Sequence, residues 1–374
     1  MGASSGLPRP VGPVPGTGKE VAALSRGDSR SGRVSLKDIA DELGISQTAV
    51  SFAINDRPGV SEETKRRVKQ AAAKLGWSPV YAAQALGSSR TMTIGFAPSR
   101  ESTGMQDESF MLHFMAGLHA SLSPKGYGLL FRPCTSLREE QSVYRDWSRR
   151  KRVDGVVLVD LRDNDPRPDL VTRLGLSAVL AGGPDPTGQV PSLSIDDSRT
   201  MGMIMRHLLE RGHRRVAYVA GDPSYGYSRA RMDYVHAMVD KGTLESAVVE
   251  FTDFESERAV RSTLRLMASA EPPTAFIYET EMLASASLRA LAKHMVETGE
   301  GRYPDDLPAI VSIEDSFVCE SAYPSITAVH RDAVAYGAKV ANLLLKLLSG
   351  EEVSGDRRVL APKLVEREST AVRP

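Results

Sequence analysis

Residues 34–68 read VSLKDIADELGISQTAVSFAINDRPGVSEETKRRV, and the spacing of their apolar positions predicts short helices. Leu36, Ile39, Ala40 and Leu43 recur at helical intervals behind Ser35, with Asp38 three residues on, the pattern of a capping box. Gly44 stops that helix. Ser46 caps a second helix with Val50, Ala53 and Ile54 on one side, and Asn55-Asp56-Arg57-Pro58-Gly59 reads as a loop. A third helix, about Glu62 to Leu75, buries Val68, Ala72 and Leu75 and ends at Gly76. Two short helices separated by Gly44-Ile45, with polar Gln47 and Thr48 opening the second, match a helix-turn-helix, whose second helix enters the major groove N-terminus first. Gln47, Thr48 and Phe52 would then meet base edges. Ser35, Ser46, Ser51, Asn55 and Ser61 suit phosphate oxygens, which set register rather than sequence choice. Spacing alone also fits a plain three-helix packing unit.

The texture changes on both sides of this segment. Residues 1–32 are rich in Gly, Pro and Ser with almost nothing to bury, the composition of a disordered leader. After Trp77-Ser78-Pro79 comes a short stretch, Val80 to Leu86, and from Thr93 strands alternate with helices. Short apolar runs at Thr93-Ala97, Tyr127-Phe131, Gly155-Val159, Ala178-Leu180, Leu193-Ile195, Arg215-Ala220, Ala247-Phe251, Ala275-Tyr278 and Ile310-Ile313 are strand candidates. Amphipathic helices, such as Met111-Leu122 and Thr200-Arg211, fall between them. Ile326-Val329, Val359-Leu360 and Lys363-Arg367 are further strands, and Ala333-Leu348 a helix. This alternation predicts parallel sheets with helices on both faces, in more units than one sheet comfortably holds.

The chain of 374 residues is long enough for two or three domains, and its 47 basic and 47 acidic side chains cancel. The cancellation hides an asymmetry: residues 1–90 carry thirteen basic against eight acidic side chains, +5, and the remainder carries −5. Cys134 and Cys319 are too few for a disulfide framework, which points to a reducing compartment. No stretch approaches the roughly 18 to 20 apolar residues of a membrane span, so no membrane partner and a cytoplasmic location are expected. His207 and His213 straddle Gly212 without a third ligand, so no metal is expected. Phosphate-loop, nucleophile-elbow and zinc-protease spacings are missing, so neither a catalytic residue nor a cofactor is expected.

The quoted segment, continued by Leu75-Gly76-Trp77-Ser78-Pro79, resembles the head of the lactose-repressor (LacI/GalR) family of bacterial transcription regulators. The resemblance extends through Thr93-Ile94-Gly95, Val153-Asp154-Gly155, LLERGHRRV at 208–216, Arg229-Ala-Arg231, Pro324-Ser-Ile-Thr327 and LVEREST at 364–370. It implies an α/β fold class: an N-terminal helix-turn-helix head plus hinge, then a periplasmic-binding-protein-like core of two doubly wound parallel-sheet subdomains. The expected divisions are a leader at 1–32, the head at 33–78, the hinge at 79–90, one subdomain at 91–192 and 326–352, and the other at 193–325 and 353–374. The implied partners are a double-stranded DNA operator of pseudo-palindromic sequence, a small-molecule effector, sugar being one class, and a second copy of the chain in a homodimer. The usual direction of control in the family is repression.

The resemblance also implies residue roles. Ala83 and Leu86 fall in a hinge that becomes helical on DNA, with the leucine wedged into the minor groove. Phe52 stands where the family usually has arginine, and Val80 where it has asparagine. Phenylalanine offers bases apolar contact only, so the operator preference is expected to differ. Arg231 matches the arginine that anchors effector, with Phe110, Thr280 and Glu314 beside it in the cleft. Glu314 replaces the usual aspartate, and Thr280 the usual Asp or Asn. The competing reading is a ligand-binding protein whose head contacts another protein instead of DNA.

Overall fold

The computed structural model of the chain describes residues 34–77, 90–99, 109–299, 301–358 and 362–371. The expected leader, the hinge residues Ala83 and Leu86, and the strand expected at Val359-Leu360 lie outside the described residues. The chain divides into two compact units, residues 1–80 and 81–374.

In the first unit, helices α1 (Leu36–Leu43), α2 (Gln47–Ile54) and α3 (Glu62–Lys74) form where the apolar spacing predicts. Each begins at a serine. Ser35 and Asp38 make a reciprocal capping box, the Ser46 Oγ accepts from the Ala49 amide at 3.1 Å, and the Ser61 Oγ accepts from the Thr64 amide at 3.2 Å. Gly44, at φ 65°, ends α1 in the left-handed conformation that glycine adopts without strain. Ile39, Val50, Ala53 and Val68 are fully buried where the helices meet, which makes a small but complete core.

The second unit holds two sheets. Strands β1 (Thr93–Phe96), β2 (Gly128–Phe131), β3 (Gly155–Val159), β4 (Ser177–Gly182), β5 (Ser192–Ser194) and β11 (Asp356–Arg358) form the first, in the order β11-β5-β4-β3-β1-β2 and wholly parallel. Strands β6 (Arg215–Ala220), β7 (Ser246–Phe251), β8 (Ala275–Tyr278), β9 (Ala309–Ser312), β10 (Thr327–His330) and β12 (Lys363–Val365) form the second, in the order β12-β10-β9-β8-β6-β7. Only β12 runs antiparallel. Parallel strands buried on both faces need apolar side chains pointing both ways, which is why their sequences run apolar without alternation. In β3, Val157 and Val159 face helices α4 (Ser109–Leu122) and α12 (Ala333–Leu348), while Val156 and Leu158 face α5 (Leu137–Arg149) and α6 (Arg167–Arg173). The second sheet is covered likewise, by α7 (Asp197–Glu210) and α8 (Gly226–Asp240) on one face and α9 (Ser256–Met267) and α10 (Glu281–Thr298) on the other. A short helix, α11 (Phe317–Ser321), follows β9 and buries Cys319.

Helices α4 and α12 touch backbone to backbone. A Cβ at Gly117 would lie 2.0 Å from the Val334 carbonyl oxygen, and one at Gly337 would lie 2.1 Å from that of Phe114. Two glycines thus bring these helices closer than any side chain allows.

Strand pairing corrects the expected subdomain boundaries. The strand at 192–194 and the strand at 356–358 belong to the first sheet, not to the subdomain expected at 193–325 and 353–374. The strand at 327–330 belongs to the second sheet, not to the segment expected at 326–352. The chain therefore passes between lobes three times, after β5, after β10 and after β11, and apolar content cannot report which sheet accepts a strand at such a crossover.

Candidate functional site

In parallel α/β sheets, ligands bind beyond the carboxyl ends of the strands, where side chains of the following loops converge. Both sheets present that edge to a common cleft of about 730 Å³ of empty space, counted to its open mouth. Asp160 follows β3, Gly182 ends β4, Glu279 and Thr280 follow β8, and Glu314 lies just beyond β9. Two further charged groups come from crossovers: Asp197, which opens α7 after β5, and Arg331 between β10 and α12.

The wall from the first lobe is aromatic. Phe110, Phe114 and Tyr336 cluster there with ring centroids 5.6 to 6.5 Å apart, and the Tyr336 hydroxyl donates to the Leu193 carbonyl oxygen. The opposite wall is ionic. Arg231, on α8, is buried; its Nε donates to Asp197 Oδ1 at 2.8 Å, and its Nη1 pairs with Glu279. The Tyr218 hydroxyl donates to the other oxygen of Glu279. Burial opposes the charge on Arg231, but Asp197 and then Glu279 outweigh it and hold the guanidinium pKa well above its ordinary value. Burial, then Glu279, pushes the Tyr218 hydroxyl well up. The Arg231 guanidinium also lies 5.0 Å from the Tyr227 ring centroid. Arg331 Nη2 donates to Glu314 Oε1 at 3.2 Å, and its guanidinium lies 4.9 Å from the Phe110 ring centroid.

Beside the cleft, the lobes are fastened by the loop that follows β3. The Leu161 carbonyl oxygen accepts from the Gly226 amide at 3.1 Å, Arg162 and Tyr225 form an antiparallel bridge, and Asp163 pairs with Arg229. Arg167, 1% exposed, anchors this loop from within its own lobe, donating to Asp165, to Glu140 at 2.9 Å and to the Asp160 carbonyl oxygen at 2.8 Å. A separate interlobe hydrogen bond runs from the Ser109 hydroxyl to Glu281 Oε1 at 2.8 Å.

All four residues expected to meet effector, Phe110, Arg231, Thr280 and Glu314, line this cleft. Thr280 also caps α10 by accepting from the Leu283 amide. The sequence alone did not single out Asp197, Glu279, Arg331, Tyr227 or Tyr336 as site residues. Position at the carboxyl end of a strand was the available signal for Asp197, Glu279 and Arg331. Cys134 and Cys319 are buried, and burial pushes both thiols up to about 12, as packing residues require. Among the described residues no three His, Cys, Asp or Glu side chains gather as a metal site, and no helix is long and apolar enough to cross a membrane.

In the head, Gln47 and Thr48 are exposed at the N-terminus of α2, and Ser35, Ser46, Asn55 and Ser61 are exposed near them in sequence. Ser51 and Phe52 are half-buried. Phe52 packs over Gly59, whose φ of 114° would strain any other residue, so its ring braces the loop after α2.

A core that encloses a ligand-sized cleft has no need of a three-helix head, and the head has no need of such a core. One family of proteins joins the two. Residues 35–80 match the model of bacterial regulatory proteins of the lacI family, and residues 205–370 that of the periplasmic binding protein-like domain. The transcriptional regulator CelR of Thermobifida fusca is 30% identical over 345 residues, covering 91% of this chain and 99% of that protein. The chain belongs to the LacI family of bacterial transcription regulators. Among solved structures, a CelR–cellobiose complex is 29% identical with a TM-score of 0.66, over 90% of this chain and all of that one. The lac repressor dimer bound to operator and anti-inducer shares the fold at 22% identity and a TM-score of 0.75, over 91% of this chain and 99% of that one.

Proposed function

We propose that the chain, as a homodimer, represses transcription at a pseudo-palindromic operator and releases or tightens its grip when a small molecule of the sugar class fills the interlobe cleft. It works by binding and conformational change, without catalysis. The observation that carries this reading is the cleft itself, where an aromatic wall faces an ionic one. Rings pack against the apolar faces of sugar rings, and fixed carboxylates and guanidinium groups take the hydroxyls. Relatives support the ligand class, since the CelR complex holds cellobiose.

In this reading Gln47, Thr48 and the edge of Phe52 meet bases, and Ser35, Ser46, Ser51, Asn55 and Ser61 meet phosphates. Ala83 and Leu86 meet the minor groove from the hinge at 79–90. Effector matters only through unequal affinity for two lobe arrangements. Helix α8 is placed to transmit that difference, because it carries both Arg231 in the cleft and Arg229 in the interlobe fastening.

A fluorescence titration of the full chain against selected genomic fragments, at several salt concentrations, tests the DNA arm. The logarithm of affinity is expected to fall with that of salt at about 0.9 per phosphate contact. A flat response overturns the regulator reading in favour of a protein-binding head. Adding cellobiose and other uncharged disaccharides then tests the effector arm by a change in operator affinity.

A further inference from the structure

We infer that the amino edge of the first lobe's sheet is a second DNA surface, whose basic run Arg149-Arg150-Lys151-Arg152 engages phosphates of the duplex flanking the sequence that the head reads. The inference rests on the operator-binding reading above. Strand register places the run at that edge. Parallel pairing aligns Ile94 of β1 with Gly155 of β3, and Thr93 with Gly128 of β2, so the residues just before these strands come together. The run ends α5 and precedes β3, Lys125 precedes β2, and Arg90 leads into β1, its Nη2 donating at 2.8 Å to the Leu348 carbonyl oxygen at the end of α12. With Lys346 of α12 this edge holds seven exposed cations, against the four carboxylates of Asp146, Asp154, Glu351 and Glu352. The excess stands out in a chain whose residues after 90 carry −5.

Local structure leaves the run available. Arg149 and Arg150 share a single oxygen, Asp146 Oδ1, at 3.2 and 2.8 Å, and the Asp154 carboxylate accepts from the Thr91 and Met92 amides. Lys151 and Arg152 are exposed and take part in no ion pair among the described residues. Lys151 also stands where glycine is the easier residue. Its φ is 49°, in the left-handed region, at the position after the helix cap that Gly175, Gly212, Gly242 and Gly350 fill after α6, α7, α8 and α12. A lysine there keeps a charge at a conformational cost that glycine would avoid. Connectivity supplies the partner. The head joins the lobe at this edge through residues 78–89, and twelve residues reach at most about 40 Å. DNA held by the head is therefore a polyanion tethered within reach of a cationic surface, and exposed guanidinium and ammonium groups bind phosphates without regard to sequence. The cleft opens at the opposite, carboxyl edge of the sheet, so the two surfaces do not compete.

The test uses the full chain and two duplexes carrying one selected operator. The first is trimmed to the outermost base pairs whose substitution weakens binding, and the second is extended by about ten base pairs, one helical turn, at each end. Affinities are read by fluorescence anisotropy over a range of salt. The wild type is expected to bind the extended duplex at least tenfold more tightly at low salt, with a salt dependence steeper by about 0.9 for each added phosphate contact. The double variant Lys151→Gly with Arg152→Gln is expected to lose at least threefold on the extended duplex and nothing on the trimmed one. Its unfolding midpoint is expected to equal or exceed that of the wild type, because glycine relieves the left-handed residue. Lys151→Arg with Arg152→Lys, which conserves the charge, is expected to keep the preference for the extended duplex. Equal wild-type affinity for the two duplexes, an undiminished preference in the neutralised variant, or equal losses on both duplexes overturns the flanking contact and leaves the operator reading standing. Binding of neither duplex by the wild type overturns the operator reading and this inference together.

Discussion

Arg231 holds together a buried carboxylate of the cleft wall, Glu279, and a half-buried one, Asp197, so its removal costs stability. Arg231→Ala leaves Glu279 and Asp197 facing each other without their shared cation, a change that costs about 3–5 kcal/mol when one partner of a buried ion pair is lost. Urea unfolding of the full chain is expected to show that loss, and an unchanged midpoint would contradict the buried pairing. The sequence revealed Arg231 through its place in Arg229-Ala-Arg231, because a motif is local. Its partners stand 34 and 48 residues away, a pairing that no local pattern encodes. Phe52 shows the same limit: its place on α2 was legible, but its packing over Gly59 depends on the path of the loop that follows.

Among elements, those with clear periodicity were legible and the borders between lobes were not. The strands from β1 to β10 form within a residue or two of their apolar runs, and α12 spans Ala333–Leu348 as its spacing predicts. Which sheet receives β5, β10 or β11 is decided by pairing across the fold and leaves no mark on composition. The contact of α4 with α12 is another such property. Gly117→Ala would force a methyl group against the Val334 carbonyl oxygen, where the backbone has no rotamer with which to give way. The helices must part, and a loss of about 3 kcal/mol, the upper end for overpacked sites, is expected in thermal unfolding. A midpoint equal to the wild type would show that the two helices yield at small cost.

At the scale of the whole molecule, the last described segment is sewn into the second lobe by a pH-sensitive stitch. His207 Nε2 bonds the Thr370 hydroxyl at 2.8 Å, which in turn bonds Thr327, and Arg211 Nε donates to the Thr370 carbonyl oxygen at 2.9 Å. Burial, and then the Arg211 charge, lowers the His207 pKa below its ordinary 6.5, against the weaker opposing pull of Glu366 and Glu210. The unfolded chain therefore binds more protons, so this stabilisation is complete above the unfolded value and is lost as pH falls through the lower folded one. Thermal unfolding is expected to weaken between about pH 7 and pH 5, the range in which histidine titrates, and His207→Gln should flatten that slope. An identical slope in the variant would place the titration elsewhere. The three interlobe crossings also govern how the molecule is made. Synthesis completes the head first, but the first lobe waits for α12 and β11, which follow nearly all of the second lobe, and the second waits for β12. A chain arrested before residue 333 would carry a finished reading head on two lobes that cannot close. Until those last strands are made, neither wall of the cleft has its complete sheet behind it.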